Sequence, residues 1–163
     1  IIAPEGEFMI KDQQIKSFLV PHDAPETLAY RFLTSSGDIS VCTDIGIVKE
    51  STLTQIEQSR LIFLESNYDL EMLTNGPYPY YLKERIKNGG GHLSNGQCSD
   101  TLCHLVDSGT EQITLAHLSQ ENNLPVLAEL TSVQALEEIE ARKDKDYLIQ
   151  VAKRYQVSNW MQI

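Results

Sequence analysis

Short apolar runs separated by polar turns dominate the first third of the chain. Phe8 to Ile10 and Phe18 to Val20 lie on either side of a mostly polar stretch containing Lys11-Asp12-Gln13-Gln14, which predicts a hairpin. Leu28 to Thr34 and Ile39 to Thr43 flank Ser35-Ser36-Gly37-Asp38 and predict a second strand–turn–strand unit. Thr52 to Gln58 predicts a short helix, and Leu61-Ile62-Phe63-Leu64, ending at Glu65, a buried strand.

The pattern then changes period. Pro77 to Lys87 carries Tyr78, Tyr81, Leu82 and Ile86 at near-helical spacing, with Gly89-Gly90-Gly91 as its stop. Ser94 or Asn95 is placed to cap a further helix whose apolar face is Cys98, Leu102, Leu105 and Val106, closed by Asp107-Ser108-Gly109. Gln112 to Ala116 predicts another strand, Pro125 to Leu136 and onward a helix, and Tyr147 to Ala152 a last strand. The charged run Glu137, Glu138, Glu140, Arg142 and Lys143 reads as a solvated face. Strands first, followed by strand–helix alternation, predict an α/β layered structure with helices covering one face of a sheet. There is no internal repeat and no low-complexity tract.

Composition narrows the functional classes. A chain of 163 residues suits one domain. The apolar runs, such as Ile45 to Val48, fall far short of the ~20 residues of a membrane span. A balance of 13 Lys+Arg against 23 Asp+Glu gives −10, which argues against a broad basic surface for nucleic acid. It leaves room for a nuclease whose metal ions supply the positive charge. Three cysteines, Cys42, Cys98 and Cys103, and no basic-then-apolar leader point to a reducing cytoplasm. The chain opens Ile1-Ile2-Ala3-Pro4-Glu5-Gly6 without an initiator methionine, as a processed terminus or a piece of a longer protein would.

The four histidines are His22, His92, His104 and His117. His22 and His117 each follow an apolar strand, and Asp44 follows Val41-Cys42-Thr43 in the same way. Rigid strands deliver side chains from their ends to a shared cleft, and His with Asp is a common ligand set for zinc and similar ions. The plainer alternative is that each is a hydrogen-bonded loop residue. His104, mid-helix beside Leu105, reads as a surface or boundary residue. His92 sits in Gly89-Gly90-Gly91-His92-Leu93-Ser94-Asn95 ahead of a helix, where a phosphate suits the free N–H groups and a histidine can donate a proton to a leaving oxygen. A flexible linker is the competing reading.

An ordered string of motifs then carries a resemblance. Leu64-Glu65-Ser66-Asn67-Tyr68-Asp69 is followed by Met72-Leu73, Gly76-Pro77-Tyr78-Pro79, Leu82-Lys83, Arg85-Ile86, Gly91-His92-Leu93-Ser94-Asn95, His117-Leu118-Ser119 and Glu121-Asn122-Asn123. From about Ser17 to Ala128 the chain resembles metallo-β-lactamase-fold hydrolases of the YycJ (WalJ, VicX) type, relatives of RNase Z and RNase J. The resemblance implies an αββα sandwich with a two-metal site, holding zinc or manganese, and hydrolysis of phosphodiesters by metal-activated water. It implies His22, Asp44 and His117 as metal ligands, with Asp44 bridging. It implies His92 as the residue that protonates the leaving group and Glu65 as the carboxylate that orients it.

Two departures accompany the resemblance. Tyr68 stands where relatives often have histidine, and the signature His-x-His-x-Asp-His, which belongs to the N-terminal half of the family fold, is absent. The expectation is that residues 1–163 form the C-terminal half of an αββα sandwich, inactive alone and lacking its N-terminal half. One sheet face would then be exposed or covered by self-association. The implied substrate is nucleic acid or another phosphodiester. The alternative is a non-catalytic interaction or regulatory module that keeps the half-fold.

Overall fold

The computed structural model describes residues 3–163; the opening Ile1-Ile2 lies outside them. The first hairpin pairs β1 (Gly6–Ile10) with β2 (Gln13–Leu19), turning at Lys11 and Asp12, so Gln13-Gln14 belong to the strand. The second pairs β3 (Leu28–Leu33) with β4 (Ile39–Cys42), also antiparallel. α1 (Glu50–Ile56) lies two residues earlier than the sequence pattern predicts. β5 (Leu61–Glu65), β6 (Gln112–Ala116) and β7 (Leu148–Val151) complete a seven-stranded sheet whose spatial order is the chain order. β4 to β7 run parallel to one another. β2 points the same way, because it is separated from β4 by the antiparallel β3.

The middle of the chain departs from the sequence reading in two places. A short helix, α2 (Leu70–Asn75), precedes the predicted one; Asp69 caps it by accepting the Met72 N–H at 2.9 Å. The predicted Pro77–Lys87 helix is α3 (Tyr80–Arg85), and it is not stopped by the glycines: a π-helical turn, Ile86–Gly90, continues it. Glycine tolerates the irregular backbone of such a turn, so the glycine run changes the helix type before ending it. Tyr81, expected on the apolar face, is exposed. α4 (Asn95–Asp107) starts at a full capping box between Ser94 and Gln97, and α5 (Pro125–Glu138) has proline at its first position.

The core lies between the sheet and the helices. Strand alternation sends Cys42, Ile62, Leu64, Ile113 and Leu115 to one face, where they meet Ile56 of α1, Leu102 and Leu105 of α4, and Ala128 and Leu136 of α5. The opposite face carries Phe8, Tyr30, Phe32, Val41 and Phe63 in neighbouring strands, each only half-buried. That apolar stripe has the composition of a face that packs against a second layer.

A buried amide network fastens the loops above β5 and β6 to the start of α4. Asn123 Nδ2 donates to Ser66 O (2.9 Å), Asn67 O (3.0 Å) and Asn95 Oδ1 (2.9 Å), and its Oδ1 accepts from Asn95 Nδ2 (3.0 Å) and the Leu124 N–H (2.9 Å). Ser66 Oγ donates to Asn95 Oδ1 at 2.7 Å. Replacing Asn123 with Ala takes their side-chain partner from Ser66 O, Asn95 Nδ2 and the Leu124 N–H, so Asn123→Ala is expected to lower unfolding free energy by about 2 kcal/mol or more, read by urea denaturation. A loss of a few tenths would show that water takes over the network at no cost.

Candidate active site

Because β2, β4, β5 and β6 all point the same way, the residues at their C-terminal ends share one edge of the sheet. His22 follows β2, Asp44 follows β4, Glu65 ends β5 and His117 follows β6. Rigid strands deliver the side chains of their loops to one shared place at such an edge. The Gly46 N–H donates to Pro21 O at 2.7 Å and joins the His22 loop to the Asp44 loop. Asp44 and His117 both have left-handed backbones, with φ of 54° and 57°. Non-glycine residues reach that region at a cost of about 1–3 kcal/mol and hold it where surrounding contacts enforce it.

The structure brings the residues singled out in the sequence together. His117 Nε2 is 3.7 Å and His22 Nε2 4.0 Å from Asp44 Oδ1. The His92 ring stands between the other two imidazoles, with centroids 5.3 Å from His22 and 5.2 Å from His117. Asp44, His92 and His117 each offer a donor atom within 4.8 Å of the others. One carboxylate and two imidazoles at that spacing have the donor types of a divalent-cation site. His22 stands at the edge of this trio. His104, by contrast, is exposed on α4.

Glu65 organises the cluster from beneath and is fully buried. Its Oε2 accepts the Ile45 N–H at 2.9 Å. Its Oε1 lies 2.7 Å from His92 Nδ1 and 3.4 Å from His117 Nδ1. The 2.7 Å contact lies off the imidazole N–H direction, so both buried atoms lack a well-aligned hydrogen bond. Turning each Nδ1 toward the carboxylate leaves both Nε2 atoms for the cleft. On His22, Nδ1 lies 2.7 Å from Gly91 O; donating its proton there leaves Nε2 with a free lone pair.

Burial alone raises the pKa of Glu65, but the His117 and His92 contacts and the Ile45 N–H outweigh it, and the carboxyl is held below its ordinary value. The contact with Glu65 in turn raises His117, against its partial burial.

Other site features carried weaker sequence signals. Asp23, adjacent to His22, has Oδ1 3.5 Å from His22 Nε2 and pairs through Oδ2 with Arg85 at the end of α3. The contribution of the Ile45 N–H is a backbone effect that side-chain patterns do not encode. Glu65 contacts His117 as well as the expected His92. The open cleft above the cluster has a volume of about 1120 Å³; Tyr78 and Leu82 line it, as do Lys153 and Arg154 after β7. Cys42 is buried, and its thiol is pushed up to about 12, which removes it from nucleophilic chemistry.

No family model matches the chain. It is 36% identical over 127 residues to "Exodeoxyribonuclease YycJ" of Bacillus anthracis, covering 78% of this chain and 48% of that protein. It is 34% identical over 138 residues to "Exodeoxyribonuclease WalJ" of Streptococcus pneumoniae serotype 2, covering 85% of this chain and 51% of that one. The chain thus spans about half the length of the curated relatives it matches. Among solved structures, a metallo-β-lactamase fold protein, YhfI of Bacillus subtilis, matches with a TM-score of 0.68 at 13% identity, covering 93% of this chain and 50% of that one.

The opposed shifts of Glu65 and His117 fix how metal-free stability depends on pH. The lowered carboxyl stabilises the fold above its unfolded pKa, and this is lost as pH falls through the folded value. The raised imidazole stabilises it below its unfolded pKa, and this is lost as pH rises through the folded value. Chelator-treated protein is therefore expected to be most stable between the carboxylate and imidazole ranges, with Glu65→Gln flattening both limbs of the thermal-unfolding profile. The same variant should move the His117 titration, followed by NMR, to lower pH. An unmoved titration would show that Glu65 does not govern that ring.

Proposed function

Taking the chain as the metallo-β-lactamase-fold homologue of the YycJ/WalJ family that it is, we propose that it forms the C-terminal portion of a metal-dependent phosphodiester hydrolase of exonuclease type. The observation that carries this reading is the convergence of His22, Asp44, His92 and His117 on one sheet edge around the buried Glu65. Nucleic acid is the substrate class, in keeping with the names of the curated relatives. The apolar second sheet face is the docking surface for the N-terminal half of the sandwich.

Asp44, His117 and His22 would hold divalent ions, zinc or manganese, with further ligands coming from the N-terminal half. Bound ions supply neutralisation of the attacked phosphate and a lowered pKa for water. The chain's own residues do the remaining work. Glu65 fixes the rings of His92 and His117 through their Nδ1 edges. Gly91 O fixes His22 in the same way. His92, with Nε2 toward the cleft, donates a proton to the departing oxygen of the phosphodiester. Arg85 pairs with Asp23 at the rim and offsets the repulsion that this carboxylate would exert on a phosphate.

This division of labour separates metal content from turnover. In the full-length protein, His92→Ala should lower kcat on a phosphodiester by about 100-fold or more with metal content unchanged, whereas His117→Ala should lower both. Elemental analysis beside the activity assay reads the two. Equal loss of metal and turnover in His92→Ala would make His92 a ligand.

Asp44, His117 and His22 are fewer ligands than two ions require. The 163-residue chain alone should therefore retain at most one ion weakly after dialysis and hydrolyse no generic phosphodiester. Adding the N-terminal half in trans should restore both. Tight binding of two ions by the chain alone would overturn the half-site reading.

A further inference from the structure

Two members of the cluster, Asp44 and His117, leave the sheet in the left-handed region, with φ of 54° and 57°. A residue with a Cβ stays in that region only where its surroundings hold it there. The two turns lie on either side of β5, and the end of β5 reaches both. On the Asp44 side the contact is made by Glu65, whose Oε2 accepts the Ile45 N–H at 2.9 Å. On the His117 side it is made by Asn67, whose Nδ2 donates to His117 O at 2.7 Å. Each contact grips the peptide unit that directly follows the left-handed residue. A peptide unit is planar, so fixing its direction fixes ψ of the residue before it.

The Asn67 amide has one orientation open to it. A carbonyl oxygen only accepts, so Nδ2 and not Oδ1 faces His117 O. The main chain of Asn67 binds the neighbouring loops independently. Its O accepts the Ser119 N–H at 2.8 Å, and its N–H donates to Leu93 O at 2.9 Å, one residue beyond His92. Those bonds close the loops without the side chain. What the side chain adds is the direction of the peptide after His117, and with it the aim of the ring, whose Nε2 lies 3.7 Å from Asp44 Oδ1. Asn67 is buried and forms part of the cleft lining. None of these contacts uses exposed surface, so a second sheet packed on the opposite face leaves them standing.

We propose that Asn67 is a positioning residue for the hydrolase, its amide holding His117 in the left-handed turn from which Nε2 faces Asp44 and the cleft. It acts through His117. The inference rests on the reading of His117 as a metal ligand and deepens it. Glu65 sets the ring of His117 and Asn67 sets its backbone, so the end of β5 fixes both parts of the ligand's geometry before an ion arrives. Preorganisation of this kind raises metal affinity without adding a ligand.

The test compares the full-length wild type with Asn67→Ala, Asn123→Ala and His117→Ala. Asn67→Ala keeps the main-chain bonds and loses only the amide. Asn123→Ala loosens the same buried network without touching His117 O, and so measures a merely structural loss. Two readouts are taken. In metal-free protein, the intraresidue NOE between the His117 amide and α protons is strong at positive φ and weak in extended backbone. Zinc affinity is read by competition with a chelating dye. Asn67→Ala is expected to lose the strong NOE and to bind zinc about 10- to 100-fold more weakly. Asn123→Ala is expected to keep the NOE and the zinc affinity while its unfolding midpoint falls. Asn67→Asp keeps the volume and removes the donor; it should lose the NOE too, and it stands in if Asn67→Ala fails to fold. Three results overturn the inference: a His117 NOE unchanged in the Asn67 variants, a zinc affinity unchanged in Asn67→Ala but lowered in His117→Ala, or equal losses in Asn67→Ala and Asn123→Ala. The ligand reading fails on a separate result, a zinc affinity that His117→Ala leaves at the wild-type value. The NOE then still decides whether Asn67 holds the turn.

Discussion

A carboxylate with no exposed surface, Glu65, is the constraint around which the rest of the site is arranged. Burying a charge is costly unless hydrogen bonds and opposite charge replace its water. Here the replacement comes from three places far apart in sequence: the Ile45 N–H, the His92 ring and the His117 ring. Each neighbours or is a cluster residue. Ile45 directly follows Asp44, so satisfying Glu65 also places Asp44. The position of Glu65 on β5, between β4 and β6, lets one side chain reach both flanking loops.

The backbone around this carboxylate is held as tightly as the side chains. Asp44 and His117, on the two strands flanking β5, leave the sheet through left-handed conformations with nearly equal φ. Equal turns on parallel strands aim both side chains into the same cleft. The cost of those turns is met by the loop network. The Asn67 Nδ2 donates to His117 O at 2.7 Å, the Ser119 N–H to Asn67 O at 2.8 Å, and the Asn95 N–H to Tyr68 O at 2.8 Å. Tyr68 is nearly fully buried here, and its ring packs with Leu73 and Ile86.

Short apolar runs between polar turns exposed the strands, and α4 was legible from its apolar face and from Ser94 or Asn95 as a cap; the reciprocal bond from Gln97 that completes the capping box is seen in the structure. The Leu70–Asn75 helix was not legible: at six residues it is too short for a periodic signal, and its mark is the Asp69 cap. The glycine run misled in the other direction, since a π turn uses glycine without ending the helix. In the site, the strand-end positions of His22, Asp44 and His117 were visible in the sequence alone. Glu65 was not, because an acid at the end of an apolar run looks like a strand meeting solvent. Only the family resemblance marked it, and only toward His92.

The acid excess of the chain, −10 overall, argues against a broad basic surface but does not fix the field at the cleft. Where the charges sit decides that. α5 starts at the cleft, where Leu124 and Pro125 line it, and carries exposed Glu137 and Glu138 at its far end. A helix of 14 residues rises about 20 Å over that span, more than twice the ~8 Å over which physiological salt screens a charge. Those acids therefore contribute little at the site. At the cleft, Asp23 pairs with Arg85, Glu65 is buried beneath the histidines that contact it, and Asp44 is the group a divalent ion would claim. Among the other charged residues that line the cleft, Lys153 and Arg154 stand against the carboxylate of Glu121. The local field at the cleft is set by these few groups and not by the net charge of the chain.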